Sequence, residues 1–485
     1  MGAKPLPLGE VSPKVTERAS PARQGLCAAI GSFFVRAILS LHMFLCQHPC
    51  PLRRFAPRPG CGSLHLLRCR LHPAGRCPNS DSLLPPLAAV VAVAPKGGAF
   101  AITLLTFFLI FAYPIAKVRC LSMNAVRSNS VDFFLGTTTP AGFKGYFEPL
   151  RREPGMQMYL IKSGPGCGKS TLMKRLAIKA EQRGEPIQRI HCASDPDSLD
   201  GVIFLDKRAA IVDATAPHVM EPDAPGAEEQ VVSLYHTLDA DALHAHADEV
   251  KRLFAQNTAL RSRAARYIAS AGSLLLDSRR AEACSANFEK VRRYVKRLCA
   301  RTLPRLPEGA SASEELRLLS AITPKGPVFY RGTVQALADR YVVFHDDYGA
   351  VSRLLLELIR AEALARGYHI ITCPCAMHPD DKIDHLFIPA LRLAFLTDNR
   401  WHPVQLPGVQ AVRCTRFVDR ENLAGYRARL RFNERAAAEL LEQAADLMAQ
   451  AKACHDELET YYRAAVDFGK VDEAAAQCAG MLGLE

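Results

Sequence analysis

The stretch "SGPGCGKST", residues 163–171, places a lysine and two hydroxyl side chains directly behind three alternating glycines. Glycines at that spacing let the backbone wrap so that successive N–H groups point inward, which makes a nest for a polyphosphate. Lys169 would then bridge the β- and γ-phosphates, and Ser170 would offer its hydroxyl to Mg²⁺. The pattern G-x-x-x-x-G-K-[ST] carries this chemistry when a strand precedes it and a helix follows. Ser163 stands at the first glycine position, at the loop entry and outside the turn itself. The candidate nucleotide-binding set is therefore Gly164, Pro165, Gly166, Cys167, Gly168, Lys169, Ser170 and Thr171.

The flanking residues have the patterns such a loop requires. "MYLI" (158–161) is a short apolar run of strand type, and Leu172, Met173, Leu176 and Ala180 recur at helical spacing behind Lys169. "PIQRIHC" (186–192) and "AAIVD" (209–213) read as further buried strands, so strand and helix alternate as in a three-layer α/β core with a parallel sheet. Ligands of such sheets lie outside the carboxyl ends of the strands. Asp213 ends a strand there and would hold a water of the Mg²⁺ shell. Asp195, Asp197 and Asp200 follow the strand ending at Cys192, and Asp195 is a candidate to orient an attacking water. "SDPDS" also reads as a helix start, with Asp195 as N-cap and Pro196 at the first helical position.

From residue 131 onward the chain can be laid on itself at an offset of 180–184. "TPAG" (139–142) answers "TPKG" (323–326), "CASDPD" (192–197) answers "CAMHPD" (375–380), and "FEKV" (288–291) answers "FGKV" (468–471). A period this long means two tandem domains, placed at 123–304 and 305–485, with "LPRLPEGAS" (303–311) as linker. Each is expected to carry a helical arm, from about residue 228 in the first copy and about 420 in the second. The arm reads as a hairpin packed on its own core, with Arg261, Arg263 and Arg266 on a solvated face.

The second copy reads "FHDDYGAVSRL" where the loop should be. Laid out by the repeat, Gly164 becomes Asp347, Gly168 becomes Val351, Lys169 becomes Ser352 and Ser170 becomes Arg353. Asp346 and Asp347 would put carboxylates where phosphates belong, and like charges repel there. Asp195 and Asp213 vanish with the lysine, as His378 and Thr397, which favours them as functional. Asp197, Asp200 and His218 persist as Asp380, Asp384 and His402, which suits structural roles. Cys373, Cys375, His378 and His385 could ligate zinc, although their spacing matches no familiar zinc pattern.

The formal charge of +12 is unevenly spread. Residues 1–122 hold 14 of the 61 Lys and Arg but three of the 49 Asp and Glu, leaving 47 basic and 46 acidic residues in the remainder. A near-neutral body argues against nucleic acid as a partner. Nine of the 16 cysteines are scattered through that body in no disulfide-like framework, which points to the cytoplasm. Residues 1–122 are a basic, Cys- and Pro-rich extension whose composition favours a true start at Met123. The alternative is a membrane anchor through the uncharged run "AFAITLLTFFLIFAYPIA" (99–116).

"FFLGTTTPAGFKGYF", "GPGCGKSTLMKRL", "HCASDPDSLDGV" and "AIVDATAPHV" closely resemble an uncharacterised group of bacterial tandem-repeat P-loop proteins labelled only as ATPases. The likeness covers about 131–485 and implies a duplicated P-loop NTPase fold with ATP bound at Gly164–Thr171. The degraded second loop departs from a two-site mechanism. The expectation is thus a nucleoside triphosphate as ligand, with ATP and Mg²⁺ as cofactors. Lys169, Asp195 and Asp213 are the catalytic candidates, and Ser170 and Asp213 hold the metal. Hydrolysis in the first repeat is the favoured activity; a small-molecule kinase and a nucleotide sensor with negligible turnover are the alternatives.

Overall fold

The computed structural model describes residues 130–307 and 309–485, which belong to a single compact unit. Residues 1–122, with the run at 99–116, lie outside the described residues. Among those described, no helix is long and apolar enough to cross a membrane.

The first repeat opens with β1 (Ser130–Phe134), the hairpin β2 (Gly136–Thr139) and β3 (Gly142–Gly145), and the short helix α1 (Phe147–Arg151). It continues through β4 (Gln157–Lys162), α2 (Lys169–Gln182), β5 (Ile187–Cys192), β6 (Asp195–Phe204), β7 (Ala209–Asp213) and β8 (Glu229–Ser233). The helices α3 (Ala240–His244), α4 (Ala247–Ser285) and α5 (Phe288–Thr302) close it. The second repeat follows the same plan. Its strands are β9 (Ser313–Leu316), then the hairpin β10 (Ser320–Thr323) and β11 (Gly326–Phe329). After α6 (Arg331–Leu337) come β12 (Arg340–His345), α7 (Ala350–Ala365), β13 (His369–Pro374), β14 (Ile383–Ile388), β15 (Leu393–Asp398) and β16 (Gln410–Arg413). The helices α8 (Arg420–Gly425), α9 (Arg427–Ala464) and α10 (Phe468–Met481) end the chain.

The strands form two six-stranded sheets, β1-β5-β6-β7-β4-β8 and β9-β13-β14-β15-β12-β16, so the protein is α/β with one sheet per repeat. The sheets are mixed and not parallel. β6 runs antiparallel to β5 and β7, and β14 runs antiparallel to β13 and β15. The cause is local. Cys192 pairs with Asp195 across a two-residue turn, so the chain doubles straight back into β6 and no helix starts at Asp195. Pro196 fits within a strand because the pairing is irregular there, with register shifts at His191 and Cys192. β4 itself has parallel neighbours on both sides, β7 and β8.

Side chains alternate across β4. Met158 and Leu160 face a central core that also takes Val343, Phe387 and Leu396 from the second sheet. Tyr159 and Ile161 face the opposite way, onto α2. The two sheets thus share one buried layer between them, and each has helices on its outer face.

Those outer helices are exchanged between the repeats. Val291, Val295, Leu298 and Cys299 of α5 pack into the core of the second sheet, with Val342, Phe344 and Leu355. Ala474, Ala475, Cys478 and Ala479 of α10 pack into the core of the first, with Tyr159, Ile161 and Leu176. The long helices that precede them make the crossing. α4 has 39 residues and α9 has 38, each spanning roughly 57 Å at 1.5 Å per residue. They run antiparallel: Leu253 meets Cys454 and Leu458 at one end, while Ala264, Ile268 and Ala271 share a core with Ala437, Leu441 and Ala444. The expected hairpin folded on its own core is therefore corrected. The first arm starts later than residue 228, after β8, the second starts at Arg420 as expected, and each delivers its last helix to the other repeat.

Candidate functional site

β4 brings the chain to Lys162, and the next six residues turn to enter α2 at Lys169. Two positive backbone angles make that turn. Gly166 has φ 68° and Gly168, the N-cap of α2, has φ 82°, a region that costs an L-residue about 1–2 kcal/mol. The first turn of α2 leaves its N–H groups free to meet an anion, and the helix dipole adds to the same end. Cys167 is buried and anchors the loop from below.

Lys169 lies folded across this loop. Its ammonium donates to the Gly164 carbonyl oxygen at 2.8 Å and stands 3.5 Å from Asp213 Oδ2. Asp213 occupies the end of β7, next to β4, and its Oδ1 accepts from the Thr215 amide (3.0 Å) and hydroxyl (2.6 Å). Ser170 Oγ accepts the Leu199 N–H at 3.0 Å, which ties the start of α2 to β6 and leaves a second lone pair open. Lys169 and Asp213 are therefore brought together, with Ser170 next to Lys169 in the first turn of α2.

Two residues expected to be structural also belong to this cluster. His218 is buried, stacks on Phe147 with ring centroids 5.0 Å apart, and holds Nε2 at 4.0 Å from both Asp200 and Asp213. That nitrogen is buried and has no hydrogen-bond partner. Asp200 is buried as well; desolvation pushes its carboxyl above the ordinary range, against the opposing pull of His218. The persistence of this Asp–His pair in both repeats, as Asp200 with His218 and Asp384 with His402, was the available signal.

Asp195 is placed differently. Its Oδ2 accepts from Ser198 Oγ at 2.8 Å and stands 3.8 Å from Lys452 on α9, and no hydrogen bond or ion pair among the described residues joins it to Lys169 or Asp213. Asp197 is exposed and pairs with Lys325 at 2.8 Å. Arg261 donates to Ser194 Oγ at 2.7 Å, so it touches the end of the first sheet, whereas Arg263 and Arg266 are exposed.

The far end of α9 covers the loop, which no local pattern announces. A Cβ on Gly164 would come within 2.7 Å of the Tyr462 ring, and one on Gly166 within 3.0 Å of the Glu459 carbonyl oxygen. Arg463 lies beside Gly166 and is held by Glu459, which His455 and Arg463 keep below the usual carboxylate range. Glycine is required at 164 for close approach, and at 166 for close approach and backbone angle together.

The second loop corrects the repeat alignment by two residues. Gly349, at φ 87°, is the N-cap of α7 and so corresponds to Gly168; Ala350 then stands at the place of Lys169. Three residues separate β12 from Gly349, where five separate β4 from Gly168. The N–H groups of the shorter loop are met by carboxyl oxygens of the protein itself. Gly349 and Ser352 N–H groups donate to Asp346 at 3.0 and 2.6 Å, and the Ala350 N–H donates to Glu282 at 2.8 Å. Glu282 comes from α4, across the crossover. Lys382 on the chain entering β14 supplies a buried cation here, paired with Asp384. Against the penalty of burial, Lys382 and His402 hold Asp384 well below the usual range.

Among the described residues no group of three or more His, Cys, Asp or Glu side chains is arranged to hold a metal ion, so Cys373, Cys375, His378 and His385 do not form a zinc site. No protein-family model, curated protein or solved structure matches this chain.

Proposed function

We propose that residues 163–171 are a P-loop, that the first repeat binds ATP with Mg²⁺ and hydrolyses it, and that the second repeat does not bind a triphosphate. The observation that carries this reading is the contrast between the two loops. The first has two left-handed glycines, a helix N-terminus free of internal anions, and the Lys169 ammonium 3.5 Å from Asp213. The second is two residues shorter, and its amides are taken by Asp346 and Glu282. The resemblance to tandem-repeat P-loop ATPases supports the same assignment.

The residues present fit the cofactor. The backbone N–H groups of Gly164 and of 166–171 would hold the phosphates, with Lys169 released from the Gly164 carbonyl to neutralise them. Ser170 would ligate Mg²⁺ through its open lone pair, and Asp213 would hold a metal-bound water. When bound, Mg²⁺ supplies charge neutralisation for the phosphoryl group. Asp213 and the unpartnered Nε2 of His218 lie together beside Lys169, so they are better placed than Asp195 to orient a water.

Titration calorimetry of the full chain with Mg·ATP tests the reading. The wild type is expected to bind saturably, and Lys169→Ala to lose binding by on the order of a hundredfold. Saturable binding that survives Lys169→Ala would overturn the assignment. Phosphate release measured with radiolabelled ATP and a panel of nucleosides then separates hydrolysis from transfer to an acceptor.

A further inference from the structure

A cavity of about 250 Å³ opens in the second repeat, between its sheet and the crossed helices α4 and α9. By comparison, an engineered cavity of roughly 150 Å³ accepts benzene. Its floor is the buried group Lys382, Asp384 and His402. Ile322, Met377 and Trp401 supply apolar wall, and Asp347, Tyr348 and Glu434 stand on its more exposed side. Nothing in the triphosphate reading uses this space.

The charges around it decide what it can take. Every cation in the wall already has an anionic partner within the protein. Lys382 is paired with Asp384, Arg279 with Asp381, and Arg400 with Glu434 at 3.3 Å. His378 is pushed toward its neutral form by burial and by Arg279, and its Nε2–H donates to the Gly272 carbonyl at 3.2 Å. The carboxylate of Asp347 is the exception, with no hydrogen bond or ion pair among the described residues. Desolvation first, and then the nearby charges of Asp346 and Glu434, raise its affinity for a proton. A negative group left over beside an apolar wall favours a cation over an anion.

We propose that this cavity binds a small organic cation, a primary amine or guanidine on an apolar body. The charged end pairs with Asp347 and the body rests against Trp401, Met377 and Ile322. An anion of the same shape is rejected, because Asp347 repels it and no unpaired cation receives it. The site is independent of the loop at 163–171 and gives the second repeat a ligand of opposite charge to a triphosphate.

Trp401 is the sole tryptophan of the chain, so its emission reports on this wall directly. The full-length protein is titrated at neutral pH with 2-phenylethylamine and, separately, with 3-phenylpropionate, which has the same body and the opposite charge. A saturable emission change with the amine alone is expected. Asp347 is exposed, so Asp347→Asn should leave the fold intact and weaken amine binding by up to about fivefold, the effect of one exposed ion pair. No saturable change with the amine, equal binding of the acid, or unaltered binding in Asp347→Asn each overturns the proposal.

Discussion

Glu282 and Asp346 meet at the N-terminus of α7, both buried, and two carboxylates so close cannot both ionise cheaply. Burial first, and then Asp346, drive the Glu282 carboxyl well above its usual range, while its Oε2 accepts the Ala350 N–H at 2.8 Å. The sign of the linked stability follows. Below the unfolded value of about 4.3 Glu282 is protonated in both states; above it the unfolded chain releases the proton first, so this residue removes stability as pH rises. Glutamine imitates the protonated acid, with a carbonyl to accept and an N–H to donate. Glu282→Gln should therefore match the wild type near pH 5 and exceed it in Tm near pH 8, a difference that widens steadily between. Asp384, whose depressed carboxyl has the opposite pH dependence, is common to both proteins and cancels in the comparison. Equal Tm differences at the two pH values would show that Glu282 is ionised in the native state.

At the scale of elements, the exchange of α5 and α10 makes an expectation that no simple tandem arrangement shares. Leu482, just past α10, is buried in the core of the first sheet beside Leu176 and Ile161. Leu482→Ala should cost about 2–4 kcal/mol, because removing a buried leucine leaves a cavity as well as losing transfer energy. Hydrogen exchange should then rise in β4 and α2, some 300 positions away in sequence, and not in α7 or β12. A rise confined to the second repeat would contradict the exchange. This crossing was beyond the reach of sequence patterns, because apolar stripes on α5 and α10 say that a face is buried but not against which sheet. Local features were legible: β7 spans the residues 209–213 its apolar run indicated, β5 and β4 differ from their runs by a residue or so, and α2 starts at Lys169. β6 was missed because Asp195, Pro196 and Asp197 imitate a helix cap, although the following "GVIF" carries strand character. The two-residue gap in the second loop was hidden by an offset that stays near 183 on its strand side and drops to 181 at Gly349. Similarly, Tyr462 and Glu459 reach the loop through a helix whose partner only the fold reveals.

On the scale of the whole molecule, the shared central layer and the crossed helices leave neither repeat a core of its own. Phe134 pairs with Leu318 backbone to backbone, Leu238 with Val466, and Ala286 with Val418, so main-chain hydrogen bonds tie the halves at three separate places. Unfolding one half would strip an outer helix and one wall of the central core from the other, which predicts a single cooperative transition. The arrangement also predicts how a ligand on one half is felt by the other. If residues 163–171 hold Mg·ATP as proposed, the nucleotide stabilises by about 2.7 kcal/mol at a hundred times its dissociation constant. Trp401 lies in the second repeat, remote in sequence from that loop, and reports only on its own surroundings. In urea, its emission midpoint should coincide with the midpoint from far-ultraviolet circular dichroism, and saturating Mg·ATP should move both by the same amount. Repeats that melted separately would leave the Trp401 transition where it was while the other shifted. On the proposed function, the coupled outcome would mean that the second repeat draws stability from a nucleotide held by the first.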